Sequence, residues 1–300
     1  MSRLYASLIE RYPSANAVVR AANFYPSATI PLAARAEAFL DVHEGEHLVD
    51  SDLYTAGEPH LSTTRRSQPA MHDGAVLVFV DIGERGRLVA APCNYFAMIA
   101  TCDSLRSEWL TAGVDRHTPL RDRADAASGT GGPLVSGAGR AAAIGVSIVT
   151  TKPGQSGPLA VLGRRRRDLA VDPGQIHVVP SGIAEPFESE PLLETARREL
   201  AEELGVVLSI KQLARRLVVV GIAFDLLRLR PEVCMRLDLT GAEARTILDS
   251  STRSEFDSIE FLRLDRSAIT AWWQTVGPDD VTPAAAGALA LVEKSLSGFG

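Results

Sequence analysis

The chain has 300 residues, 46% hydrophobic and 23% charged, proportions that exclude a wholly disordered chain, a collagen-like fibre and a small disulfide scaffold. Its net charge of −6, from 31 basic and 37 acidic residues, comes without a long basic stripe. Duplex binding relies on phosphate neutralisation, so no nucleic-acid partner is expected. The three cysteines, Cys93, Cys102 and Cys234, form neither a disulfide framework nor a CxxC metal pair. No apolar run reaches the ~18–20 residues that span a bilayer, and the charged N-terminal stretch lacks a signal-peptide core. A cytoplasmic protein with no membrane partner is the expectation; the oligomeric state stays open.

In chain order, residues 30–40 are rich in Ala and Leu and are read as a helix. Residues 43–47 spell HEGEH, a literal HExxH. On a helix His43 and His47 would share a face and hold zinc. Gly45 inside the motif and the turn-like residues Asp50, Ser51 and Asp52 argue instead for solvated or structural histidines. Residues 74–82 are a β-branched strand, and 83–86 the turn into a second strand over 87–92. Residues 121–139, which lead into SGTGGPLVSGAG, read as a linker. They divide an N-terminal domain of unknown role, 1–130, from a second domain, 131–300.

From residue 143 the pattern becomes strand (143–150), turn (152–158), strand (159–163), four arginines (164–167) and strand (175–179). A helix over 192–204 follows, stopped by Gly205, and then strands over 217–224, 233–239 and 258–264. Two helices near 267–275 and 283–296 close the chain. Mixed helices and short strands suggest an α/β layered domain. His177 falls on the strand before Gly182, either packed in the fold or approaching a site there.

The helix over 192–204 carries Leu193, Ala196, Leu200 and Leu204 as one apolar stripe. Glu199, Glu202 and Glu203 converge on another face at i,i+3 and i,i+4 spacings. Like charges so placed weaken an isolated helix, whereas clustered hard oxygens suit Mg²⁺ or Mn²⁺ shared with substrate phosphates. Arg198 stands beside the cluster, placed to hold a carboxylate in position.

The run REL-A-EE-L-GV at 198–206, preceded by Gly182, Glu185 and Glu188, resembles the Nudix box over 182–206. The C-terminal half matches every fixed position, while nine residues instead of seven separate Glu188 from Arg198. The resemblance implies an α/β/α sandwich with a mixed sheet, preceded here by a smaller β-rich N-terminal domain. It also implies hydrolysis of a nucleoside diphosphate linked to another moiety. By the same resemblance Glu199, Glu202 and Glu203, with the backbone carbonyl near Gly182, are the metal ligands for Mg²⁺ (or Mn²⁺). Arg198 then orients them. Ser181 stands where glycine is commoner in the family.

The general base of such enzymes is a box glutamate (Glu199 or Glu202 here) or one from a later loop, for which Glu232 and Glu255 are the candidates. Arg164 and Arg166, alternate residues at a strand end, are candidates for substrate phosphate; a solvated edge is the other reading. Residues 90–295 further resemble the Nudix branch that holds the mammalian UDP-glucose/UDP-galactose pyrophosphatase. Among the quoted segments are Asn94-Tyr95-Phe96, Asp172-Pro-Gly174, Pro231-Glu232 and the 282–287 run. That implies a UDP-sugar cleaved to UMP and a sugar 1-phosphate. ADP-ribose or an ADP-sugar, and a non-catalytic nucleotide-sensing Nudix domain, are the alternatives.

Overall fold

Strand pairing begins in the stretch where Ala and Leu suggested a helix. In the computed structural model, which describes residues 2–13, 16–36, 39–83, 86–112, 117–169, 171–249 and 255–296, residues 23–35 are a long strand. Helical propensity there is overridden by pairing with a later strand along seven register positions, from Val218↔Arg35 to Asp225↔Ser27.

The N-terminal elements are α1 (Ser2–Arg11), β1 (Ala17–Arg20), β2 (Asn23–Arg35), β3 (Leu40–Val42), α2 (Ser51–Ser67), β4 (Ala75–Ile82) and β5 (Leu88–Asn94). The centre of the expected 83–86 turn, residues 84–85, lies outside the described residues. Next come α3 (Tyr95–Met98), a π-turn (Ile99–Asp103), α4 (Ser104–Ala112) and α5 (Pro119–Ala127). The remaining elements are β6 (Gly145–Gly154), β7 (Gly157–Arg165), β8 (Ile176–Val178), β9 (Ser181–Ile183), α6 (Pro191–Leu204), α7 (Ile210–Arg216), β10 (Val218–Asp225), β11 (Arg230–Asp238), α8 (Gly241–Asp249), β12 (Phe256–Arg263), α9 (Arg266–Thr275) and α10 (Pro283–Leu296).

The large sheet runs β1-β2-β10-β11-β6-β7-β12, with β8 added on β7 and β9 on β6. It is mixed: β11 lies parallel to β6, and the other pairs are antiparallel. A second sheet, β3-β5-β4, belongs to the N-terminal region. The two are stitched at β4, where Leu77 N–H donates to Ala184 and Ile144 N–H donates to Leu77. One face of the large sheet packs on α9 and α10 through Trp273, Leu289 and Leu291. The other packs on α6 through Leu193, Ala196, Leu200 and Leu204, in a core shared with Leu77, Phe79 and Met98 of the N-terminal region. The α/β Nudix arrangement expected for the second half therefore forms, with a β-containing region before it. Pairing and core both run across residue 130: β2 is a strand of the large sheet.

The HEGEH segment is not helical, as Gly45 and the residues after it argue: His43 and His47 N–H groups donate to Ala90 and Pro92, so the histidines run beside β5. Asp50 does not sit in a plain turn but caps α2, accepting from Leu53 N–H at 2.7 Å. The expected linker also begins as structure. Arg121, inside α5, is fully buried and donates to the carbonyls of Leu226 and Leu227. Its charge made it look exposed, but its hydrogen bonds clasp the β10–β11 turn.

Candidate active site

α6 starts at Pro191, which needs no N–H donor partner, and stops at Gly205 in the left-handed region (φ 67°). With the apolar stripe turned to the core, Glu199 and Glu203 are carried to the edge of β9 and are buried, while Glu202 is exposed. Glu199 accepts from Arg198 Nη2 at 2.7 Å, and Arg198 also pairs with Glu185. The arginine thus bridges Glu199 and Glu185. Glu203 accepts from Ser181 N–H at 3.3 Å.

Two glycines make room for two glutamates. A Cβ at Gly182 would strike the Glu199 carboxyl, and a Cβ at Gly145 would strike that of Glu232. These glycines lie one register step apart across the β6–β9 pair, where Gly145 faces Ile183 and Val146 faces Gly182. Glu232 lies within β11, not just before it, and accepts from the Ser147 hydroxyl at 2.5 Å.

These groups meet a cavity of about 790 Å³. Glu185, Arg198, Glu199, Glu232 and Glu255 line one side, with Ser181 and Gly182. Met71, Tyr95, Met98 and Asp103, all from the N-terminal region, line another. Of the expected site residues, Glu202 is not among the lining residues and Glu203 sits behind Ser181. Of the four arginines, Arg165 reaches the cavity, where it pairs with Glu255 at 3.2 Å. Arg164 turns to Gly174 and Glu260, and Arg166 to Asp168. The strand alternation held, but on the other phase.

Electrostatics separate this carboxylate wall from an ordinary acidic face. Burial, then the charge of Glu255, then that of Glu199 push Glu203 well above the usual carboxylate range. Burial also raises Glu199, against the pull of Arg198. Burial pushes Glu232 up to about 7, although the Ser147 hydrogen bond and Arg230 work the other way. Buried carboxylates with too few cations are an arrangement that a hard divalent ion relieves, and their oxygens are the right donors for one. Among the described residues, no group of three or more His, Cys, Asp and Glu side chains is already gathered closely enough to hold a metal.

Sequence reasoning missed Asp103, Asp172, Asp225 and Arg228. Arg228 is buried and bonded to all three, at 3.0 Å (Asp103), 3.1 Å (Asp172) and 2.7 Å (Asp225). All four line the same cavity. Asp225 and Arg228 are three residues apart, but Asp103 and Asp172 come from distant parts of the chain with no spacing that ties them to that pair.

The NUDIX domain family model matches residues 140–278. None of the curated proteins matches the chain. Solved structures that resemble it include a MutT/nudix family protein from Enterococcus faecalis, 16% identical, covering 41% of this chain and 44% of that one, with TM-score 0.32. Another is a bifunctional NMN adenylyltransferase/ADP ribose pyrophosphatase from Francisella tularensis complexed with AMP and manganese, 13% identical, covering 51% and 41%, with TM-score 0.34. This chain spans less than half the length of each of these two. A third is the NUDIX domain of Shewanella oneidensis NrtR complexed with ADP ribose, 15% identical, covering 54% and 90%, with TM-score 0.34. The fold, the box on α6 and the family match make residues 140–278 a Nudix-type hydrolase domain.

Proposed function

We propose that the protein hydrolyses a nucleoside diphosphate linked to another moiety, by water attack on the diphosphate. The observation that carries this reading is the buried, cation-poor carboxylate wall of Glu199, Glu203 and Glu232 at a large cavity. Mg²⁺ or Mn²⁺ held by Glu199, Glu202, Glu203 and the backbone at Gly182 would neutralise diphosphate charge and lower the pKa of water. Arg198 keeps Glu199 aimed, through its bonds to Glu199 and Glu185. Glu232 takes the proton of the attacking water, since a base near 7 is best matched to neutral pH. Glu255 is engaged with Arg165, which leaves Glu232 the better placed of the two later glutamates.

The test is phosphate-coupled hydrolysis with Mg²⁺ or Mn²⁺ on ADP-ribose, ADP-sugars, UDP-sugars, NADH and nucleoside triphosphates. Turnover of a diphosphate-linked compound that is lost in Glu203→Gln supports the reading. The preferred compound then decides between the ADP-linked class and the UDP-sugar that the branch resemblance implies. Silence across the panel with nucleotide binding intact would replace it with a nucleotide sensor.

A further inference from the structure

His177 sits on β8 between Ile176 and Val178, whose side chains belong to the core on the α10 side of the sheet. Strand alternation turns His177 to the opposite face, toward the cavity. The residue is 8% exposed, yet its ring lines that cavity. Nδ1 lies 3.0 Å from the Thr282 hydroxyl. That hydroxyl already accepts from Ala285 N–H at 3.1 Å, capping the first turn of α10. The pairing that uses its own proton has Thr282 donating to Nδ1, which leaves the ring proton on Nε2. Nε2 has no hydrogen-bond partner among the described residues.

The start of α10 lies on the same cavity wall: Thr282, Pro283 and Ala284 all line it. Pro283 has no N–H, and the N–H of Ala285 is taken by the cap. The amide of Ala284 remains, at the positive end of a 14-residue helix. Two cations, Arg165 and Arg228, and one carboxylate, Asp172, act on the His177 ring.

We infer that His177 Nε2 and the Ala284 amide form a subsite for a phosphoryl group, placed on the cavity wall contributed by β8 and α10. Its donors are neutral, so they grip phosphoryl oxygens without competing with the carboxylate wall for cations. Burial and Arg165 hold the imidazole far below its ordinary value, to about 3, so the ring stays neutral across the working pH range. Assigning that phosphoryl group to the substrate rests on the hydrolase reading; the subsite itself does not. Within that reading His177 is a positioning residue that acts on substrate binding.

The test uses the full chain and inorganic phosphate as the probe. Nitrogen-15 NMR of labelled histidine at pH 7 should show His177 protonated on Nε2, and that signal should move as phosphate is added. His177→Leu should weaken phosphate binding at least about ten-fold, the loss of one hydrogen bond to an anion, while His177→Gln, which keeps an N–H donor, stays closer to the parent. In turnover of whichever compound the panel selects, Leu should raise KM with kcat little changed. A proton on Nδ1, or a folded Leu variant that binds phosphate like the parent, would overturn the subsite. Phosphate binding through His177 in a protein silent across the panel would keep the subsite and reject the hydrolase reading.

Discussion

Arg228 and Glu199 are both buried charges on the wall of one cavity, and the chain treats them differently. Arg228 is surrounded by Asp103, Asp172 and Asp225, and Arg106 adds a second cation to Asp172 at 3.3 Å. Its neighbours push it well above the ordinary arginine value, and Arg228 with Arg106 pulls Asp172 below the ordinary carboxylate range. Every charge there has a partner supplied by the protein. In the glutamate wall Arg198 is shared between Glu185 and Glu199, and Glu203 has one backbone N–H. Glu199, Glu203 and Glu232 are all driven toward their protonated forms. The first cluster is complete and joins the π-turn, the loop before β8 and the β10–β11 turn. The second lacks such partners. Buried charge alone does not mark an active site; the shortage of partners does.

Breaking the complete cluster should have the largest effect. Arg228→Met leaves three carboxylates facing one another in a buried setting, and removing one partner of such a network costs on the order of 3–5 kcal/mol. Thermal melting should show a fall of many degrees at pH 7, partly recovered at low pH where the carboxylates protonate. A melting point within a degree of the parent would mean that the cluster is dispensable to the fold. The converse holds for Glu203→Gln. Removing an unsatisfied charge should leave melting unchanged or raised, while turnover falls by roughly two to three orders of magnitude, a loss of about 3–4 kcal/mol at the transition state. Equal loss of both would make Glu203 structural.

Glu232→Gln sharpens the same contrast through pH. The folded value is raised from the ordinary 4.5 to about 7. Between these values the folded protein keeps a proton that the unfolded chain has released, so stability is highest at the acid end and falls as pH rises through the window. The full difference amounts to up to about 3 kcal/mol. The parent should therefore lose melting temperature between pH 5 and pH 8 by more than the Gln variant does. Activity runs the opposite way: the base must be ionised, so turnover should drop below about pH 7 in the parent. A flat pH profile with unchanged turnover in the variant would move the base to Glu255.

Much of this site was legible because α6 carries it in consecutive turns. Helical spacing alone places Glu199 and Glu203 on one side and the leucines on the other, and Gly205 ends the helix where the pattern stops. Strands β4, β7, β10 and β12 were legible from β-branched runs bounded by turns. What was hidden depends on pairing at long range. β2 looked helical because its partner, β10, lies nearly two hundred residues away in the chain. α2 was hidden because its polar residues gave no apolar stripe, although Gly57 packs directly against the backbone of Ala100. Nothing in the sequence marks Arg121 and Arg228 as buried; their burial depends on carbonyls and aspartates that the fold brings together.

The smallest effects should come from the four arginines, where one neighbour differs from the next by strand phase. Arg165 lines the cavity, donates to Val171 and pairs with Glu255; its side chain is 12% exposed. Arg166 makes a surface pair with Asp168, which is 64% exposed. Exposed pairs contribute about 0–1 kcal/mol and are screened by salt. Arg166→Ala should therefore leave melting within about 0.5 kcal/mol and leave KM unchanged. Arg165→Ala should raise KM several-fold, more at low salt, because it removes a cation from the cavity and frees Glu255 to repel an anionic substrate. If Arg166→Ala proved the more damaging of the two, the phase of β7 at the cavity would be wrong. The arginine contacts to substrate would then have to come from the outer face of the strand.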